Sequence, residues 1–223
     1  HTQTRTAGEN VGDYEITASG ETTQGNYTVT YRPGTLTINK RPVTLTSATL
    51  KKTYDGTALV NADAPSLGVT INENKLLVED GWVDGEGATY TFTGSQTLVG
   101  SSSNAFSYVL NKNTKADNYT INKSEGTLTV TNREAQYEIE VKANSATATY
   151  DGKEHEAKGV EAYEFTVNGQ KYTVSGLTTE DPKQKDAGTY TNNISGTPVV
   201  KDAGNNDVTS QFKVKTKNGS LVI

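Results

Sequence analysis

Apolar and polar positions alternate in twos along much of the chain. Val43-Thr44-Leu45-Thr46, Thr127-Leu128-Thr129-Val130 and Tyr137-Glu138-Ile139-Glu140-Val141 each put their apolar side chains on one face of an extended segment. A period of two marks half-buried strands, and Thr, Val and Tyr suit a pleated surface. Asp-Gly at 55–56, 80–81, 84–85 and 151–152, with Asn-Gly at 168–169 and 218–219, supplies the turns. Gly accepts positive φ there, and the Asp or Asn side chain bonds to nearby backbone. No window sustains apolar residues three and four apart, and only Asn72–Val78 admits one short helix. The pattern predicts an all-β chain of tandem small antiparallel modules. An Ig-like sandwich is the leading architecture and a β-grasp-like module the alternative.

The strands fall into repeats. Gly34-Thr35-Leu36-Thr37-Ile38, Gly126-Thr127-Leu128-Thr129-Val130 and Gly219-Ser220-Leu221-Val222-Ile223 are three versions of one segment, with glycines 92 and 93 residues apart. Ahead of them stand Asn26-Tyr27-Thr28-Val29, Asn118-Tyr119-Thr120-Ile121 and, more distantly, Phe212-Lys213-Val214. Tyr54-Asp55-Gly56 matches Tyr150-Asp151-Gly152, and Tyr90-Thr91-Phe92-Thr93-Gly94 matches Tyr172-Thr173-Val174-Ser175-Gly176. A small residue before Gly recurs at Val11-Gly12, Val99-Gly100 and Ala187-Gly188. These words share one order and one period. They divide the chain into the C-terminal part of a truncated repeat (1–39) and two complete repeats (40–131 and 132–223). Both ends read as cuts through a longer array. Residues 1–39 are then expected either to dock as extra strands or to close a domain.

Composition narrows the function. Leu, Ile, Val and Phe make up roughly 19% of the chain, so Tyr and Thr must fill much of a thin core. The chain has 21 basic and 26 acidic residues, a formal charge of −5, and no Cys or Met. That balance gives no nucleic-acid footprint, and the absence of Cys excludes disulfides, thiol catalysis and Cys-based zinc sites. No apolar run reaches the ~20 residues of a membrane-spanning helix.

Little chemistry remains to place. Ser-His catalysis needs a His held against its nucleophile, yet only His1 and His155 exist, and His155 sits in a charged turn. Two oxygen-rich loops, Glu79–Glu86 and Asp202–Asp207, have a composition suited to calcium, but neither has the ligand spacing of a known calcium loop. No catalytic residue, metal site or cofactor is therefore assigned. Tyr14 and Tyr190, Tyr27 and Tyr119, Tyr54 and Tyr150, and Tyr90 and Tyr172 are repeat-matched, which favours core or turn roles. The weak candidate for ligand contact is Trp82, in an acidic, Gly-rich stretch unique to 40–131, where an indole face could stack on a sugar ring. No Lys–acid–Asn trio recurs of the kind that would form an intramolecular amide crosslink.

Taken together, the Tyr-Asp-Gly word, the Tyr-Thr-Phe-Thr-Gly-Ser word, the Val-Gly, the Asn-Tyr-Thr-Ile and the closing Gly-Thr-Leu-Thr-Val resemble YDG/MBG-type repeats. Such repeats occur in tandem in large bacterial surface and adhesin-like proteins. The resemblance runs over nearly the whole chain and is fullest at 41–131. The last repeat departs, with Ser210-Gln211-Phe212 at its Asn-Tyr-Thr position. The resemblance implies an extracellular location at the cell surface or wall and brings no catalytic residues. The expected function is a non-catalytic stalk or spacer, with neighbouring repeats of the same chain as its partners. One alternative is an adhesive module binding host glycoprotein or glycan. The other is an accessory module of a secreted carbohydrate-active enzyme.

Overall fold

A computed structural model describes all 223 residues, His1–Ile223. The chain is predominantly β, and its only helical features are 3-10 turns at Asn61–Asp63, Pro65–Leu67, Ala116–Asn118 and Thr209–Gln211. Asn72–Val78 forms no helix. Asn72 Oδ1 accepts hydrogen bonds from the backbone N–H groups of Asn74 (3.0 Å) and Leu76 (3.1 Å), and Lys75 sits at φ 66°. The Asn side chain thus supplies the turn that a helix would have replaced.

The residues divide into two compact units. The first comprises His1–Leu50, Val60–Gly94 and Ser103–Thr127. In one of its sheets Gly12–Ser19 lies between Thr2–Arg5 and Gly34–Ile38, antiparallel to both. In another, Arg41–Thr46 lies between Tyr119–Ser124, which runs parallel to it, and antiparallel Val78–Asp80. Ala88–Phe92 pairs antiparallel with Phe106–Leu110. The core gathers Val43, Leu45, Leu76, Phe106 and Tyr119, with Trp82, Tyr90, Phe92, Tyr108 and Ile121 packed against it. Each fully buried aliphatic or Phe side chain there stabilises the fold by about 1.5–3 kcal/mol. The strands of residues 1–39 pair only among themselves and add to no sheet of the rest of the chain; the Asn118 side chain reaches them. The backbone N–H of Val11 donates to Asn118 Oδ1 (3.0 Å), and Asn118 Nδ2 donates to Asn10 Oδ1 (3.0 Å).

The second unit comprises Lys51–Leu59, Ser95–Ser102 and Leu128–Ile223. Tyr137–Lys142 pairs parallel with Phe212–Lys217. Gly219–Val222 lies between Ala146–Thr147, parallel to it, and antiparallel Thr189–Asn192. Gln170–Thr179 lies between Glu164–Val167 and Ile194–Asp202, antiparallel to both. Tyr172 meets Phe212 edge to face, with ring centroids 4.6 Å apart. The divisions between these units fall inside 40–131, so the compact units are staggered against the sequence words.

One pairing scheme nevertheless appears twice. An opening strand with alternating burial (Val43 and Leu45; Ile139 and Val141) runs parallel to a late strand that begins with a buried ring (Tyr119; Phe212). The strand that follows, Thr127–Thr131 or Gly219–Val222, is central in its sheet. It is flanked by Leu50–Thr53 and Gly100–Ser103 in one case and by Ala146–Thr147 and Thr189–Asn192 in the other.

Several of the sheets are small and antiparallel, as expected, but none closes into an Ig-like sandwich or a barrel. The cause is the pairing of opening with late strands. Parallel neighbours need a long crossover, so the intervening chain forms separate two- and three-stranded sheets rather than two broad antiparallel ones. No α-helix lies across any sheet, so the β-grasp alternative lacks its helix.

Candidate functional site

The stretch around Trp82 is held from several sides. Gly81 adopts φ 109°, and a Cβ there would stand 2.2 Å from the Pro42 carbonyl oxygen. Arg41 Nε donates to the Gly81 carbonyl (2.6 Å). These contacts turn the Trp82 ring onto the first unit's core, edge to face with Tyr119 at 4.9 Å between centroids. Trp82 Nε1 donates to Glu79 Oε1 and to the Tyr90 hydroxyl, both at 3.1 Å. The Tyr90 hydroxyl in turn donates to Glu79 Oε1 (2.6 Å), and the Tyr119 hydroxyl donates to Glu86 Oε2 (2.5 Å). Trp82 is half-buried, and its one polar atom is already satisfied.

Replacing a ring so packed leaves a cavity. Trp82→Ala is expected to cost about 3 kcal/mol, read as a lower urea midpoint. Trp82→Phe, which keeps an aromatic on the core, should lose less than half of that.

The remaining candidates are engaged in turns. His155 Nε2 lies 2.9 Å from Asp151 Oδ1, away from any nucleophile. In the 202–207 loop, Asp202 accepts from Asn206, and Asp207 Oδ1 accepts from the backbone and hydroxyl of Thr209. No three His, Asp or Glu side chains converge to hold a metal ion. Lys52 Nζ contacts Asp55 Oδ1 (2.9 Å) and Thr57 Oγ1 (2.7 Å), not an Asn.

The Tyr54 turn holds a fully enclosed ring. Tyr54 is 1% exposed, and its hydroxyl lies 3.3 Å from that of Tyr172. Asp55 Oδ1 accepts from the Thr57 N–H (2.9 Å) and from Lys52 Nζ. Burial alone would raise the Asp55 pKa, but these bonds outweigh it and hold the carboxyl below its ordinary range. Burial raises the pKa of Tyr54 strongly, helped by Tyr172; burial and the Glu79 carboxylate do the same for Tyr90. Folding therefore keeps both hydroxyls protonated beyond the ordinary value of 10.0. Their stabilisation is complete below pH 10 and is lost as the pH rises past it, where the unfolded chain ionises first. Stability should fall steeply between pH 10 and 11, and Tyr54→Phe should remove part of that fall. Urea midpoints across this range provide the check.

Two further sets of residues carry structure that the sequence words did not pick out. Asn104 and Asn192 are both fully buried, and each donates to a carbonyl in the link that follows an opening strand: Ala48 (2.8 Å) and Asn144 (3.0 Å). Asn118 and Gln211 each accept a backbone N–H, from Val11 and Arg133, and each donates to an Asn side chain, that of Asn10 or Asn132. The departure at Gln211 therefore keeps the hydrogen bonding of its counterpart. Tyr14 and Tyr190 also act alike, each donating to the carbonyl four residues earlier. Tyr27 and Tyr150, by contrast, are 77% and 58% exposed, so their matching does not make them core residues. Tyr27–Thr28 pairs only with Thr23–Gln24 and has no opening strand beside it.

No curated protein and no solved structure matches the chain. Residues 1–37 match the family described as MBG domain (YGX type). The match falls on the N-terminal strands, not on 41–131 where the motifs are fullest. The chain thus contains an MBG-type module at its N-terminal segment.

Proposed function

We propose that the chain is a non-catalytic, tension-bearing spacer of a bacterial surface protein, built from the truncated repeat 1–39 and the repeats 40–131 and 132–223. The observation that carries this reading is the parallel pairing of opening and late strands. In 132–223, Tyr137–Lys142 lies along Phe212–Lys217, and Ala146–Thr147 lies along Gly219–Val222. Tension enters at the start of the first strand and leaves at the far end of the last. All ladder bonds between them are then loaded together in shear, whereas a hairpin pulled at its ends opens one bond at a time. The MBG-type module at 1–37 supports an extracellular setting, since such domains typically occur in bacterial surface proteins. The engagement of His155, Asp202, Asp207 and Lys52 in local structure supports a scaffold over an enzyme.

A glycan array with the full chain separates the spacer from an adhesive module. The spacer predicts no specific binding. A defined set of glycans bound by the native chain and lost in Trp82→Phe would move the function to the Trp82 stretch.

A further inference from the structure

Tyr54-Asp55-Gly56 and Tyr150-Asp151-Gly152 are one turn in two settings. Asp55 Oδ1 accepts the Thr57 N–H at 2.9 Å, and Asp151 Oδ1 accepts the Lys153 N–H at 2.9 Å. Gly56 has φ 82° and Gly152 has φ 75°. Each Asp also has its own local basic partner, Lys52 or His155. Only the surroundings differ.

The first turn is covered by residues of the stretch 133–172. Arg133 Nη1 donates to the Tyr54 carbonyl (2.9 Å), Asn168 Nδ2 donates to the Asp55 carbonyl (3.0 Å), and the Tyr172 hydroxyl meets that of Tyr54 (3.3 Å). A Cβ on Gly56 would lie 2.2 Å from the Tyr172 hydroxyl and 3.0 Å from the Gln170 side chain. The second turn has none of this cover. Tyr150 is 58% exposed against 1% for Tyr54, and nothing lies within 4 Å of a Cβ on Gly152.

We propose that Tyr150-Asp151-Gly152 is a docking surface for a further repeat of the 132–223 kind. The occupant brings a guanidinium to the Tyr150 carbonyl, a carboxamide to the Asp151 carbonyl and a Tyr hydroxyl to that of Tyr150, at the places of its own Arg133, Asn168 and Tyr172. The turn is already in its docked shape, so binding it carries little ordering cost. Repeats are then locked to one another at each Tyr-Asp-Gly turn instead of hanging on free linkers. This inference rests on reading the segments as consecutive structural modules. Glycan binding through Trp82 would overturn that reading without changing the reactivity of Tyr150, so the two failures are distinguishable.

The test appends a second copy of residues 131–223 to Ile223, the repeat counterpart of Val130. Tyrosine nitration followed by peptide mapping reads Tyr150. In the unextended chain Tyr150, 58% exposed, is expected to react readily and Tyr54, 1% exposed, not to react. In the extended chain nitration of Tyr150 is expected to slow at least tenfold, and Tyr172→Ala in the appended copy should restore it. As a second measurement, Tyr150→Ala should leave the Tm of the unextended chain unchanged and lower that of the extended one by as much as Tyr54→Ala lowers it in the parent. Unchanged nitration, or an equal effect of Tyr150→Ala in both chains, overturns the proposal. Protection that develops only with rising concentration of the unextended chain would assign the surface to association between chains and overturn the in-line arrangement.

Discussion

Gly126→Ala and Gly219→Ala are each expected to destabilise the fold by about 3 kcal/mol, while Gly34→Ala changes stability by less than about 0.5 kcal/mol. The three glycines hold the same place in the repeated Gly-x-Leu segment, so their sequence context gives no reason for a difference. Their surroundings do. A Cβ on Gly126 would stand 2.3 Å from the Ala48 carbonyl oxygen, and one on Gly219 would stand 2.2 Å from that of Asn144. Neither obstacle is a side chain that can swing aside. Both carbonyls are held by a buried amide, Asn104 Nδ2 or Asn192 Nδ2. None of the three glycines has a positive φ, so the cost is steric and not conformational. At Gly34 the nearest atom to a new Cβ is Ile16 Cβ at 3.9 Å, and the lower entropy of the unfolded Ala chain offsets any residual strain. Urea unfolding of the three variants provides the measurement. Equal losses at all three sites would contradict the account.

Tyr54→Ala should be comparably severe, at about 3–5 kcal/mol. The ring is fully enclosed, and truncation leaves a cavity beside Tyr172 and strips the partner from its hydroxyl. Tyr54→Phe keeps the packing and should cost about 1 kcal/mol, the net value of a typical hydrogen bond. Thermal unfolding of the pair separates packing from hydrogen bonding. If the Ala variant melted with the native chain, Tyr54 would not be an anchor.

The strands themselves were legible because alternation has one physical meaning on a pleated sheet. Val43 and Leu45, like Ile139 and Val141, are buried where the pattern puts them. Strand direction was not legible. Alternating residues look the same in parallel and antiparallel pairs, so the parallel register of Val43 with Ile121 and of Ile139 with Val214 leaves no mark on the sequence. The repeat words located the turns and the closing glycines but not their burial. Burial depends on which other segment covers a residue, and for Tyr54 the cover comes from more than 75 residues away. Leu36 shows the same limit: it is 37% exposed where Leu128 and Leu221 are fully buried. Its strand, Gly34–Ile38, has a partner on one edge only, whereas the strands of Leu128 and Leu221 have partners on both. Asn104 and Asn192 escaped notice because each reads as an ordinary polar loop residue. Their common spacing of 88 residues, shared with Val99-Gly100 and Ala187-Gly188, was the available signal. At Trp82 the sequence pointed to an aromatic in an acidic loop, and the structure adds that its indole N–H is committed to Glu79 and Tyr90 and that its ring packs against Tyr119.

The central claim is that the paired opening and late strands carry tension through the chain. Single-molecule pulling from the two ends tests it most directly. The account predicts discrete, high-force steps, the two largest each releasing roughly 300 Å of chain at about 3.3–3.6 Å per residue, with Gly219→Ala weakening only one of them. A smooth lengthening at low force, without discrete steps, would contradict it.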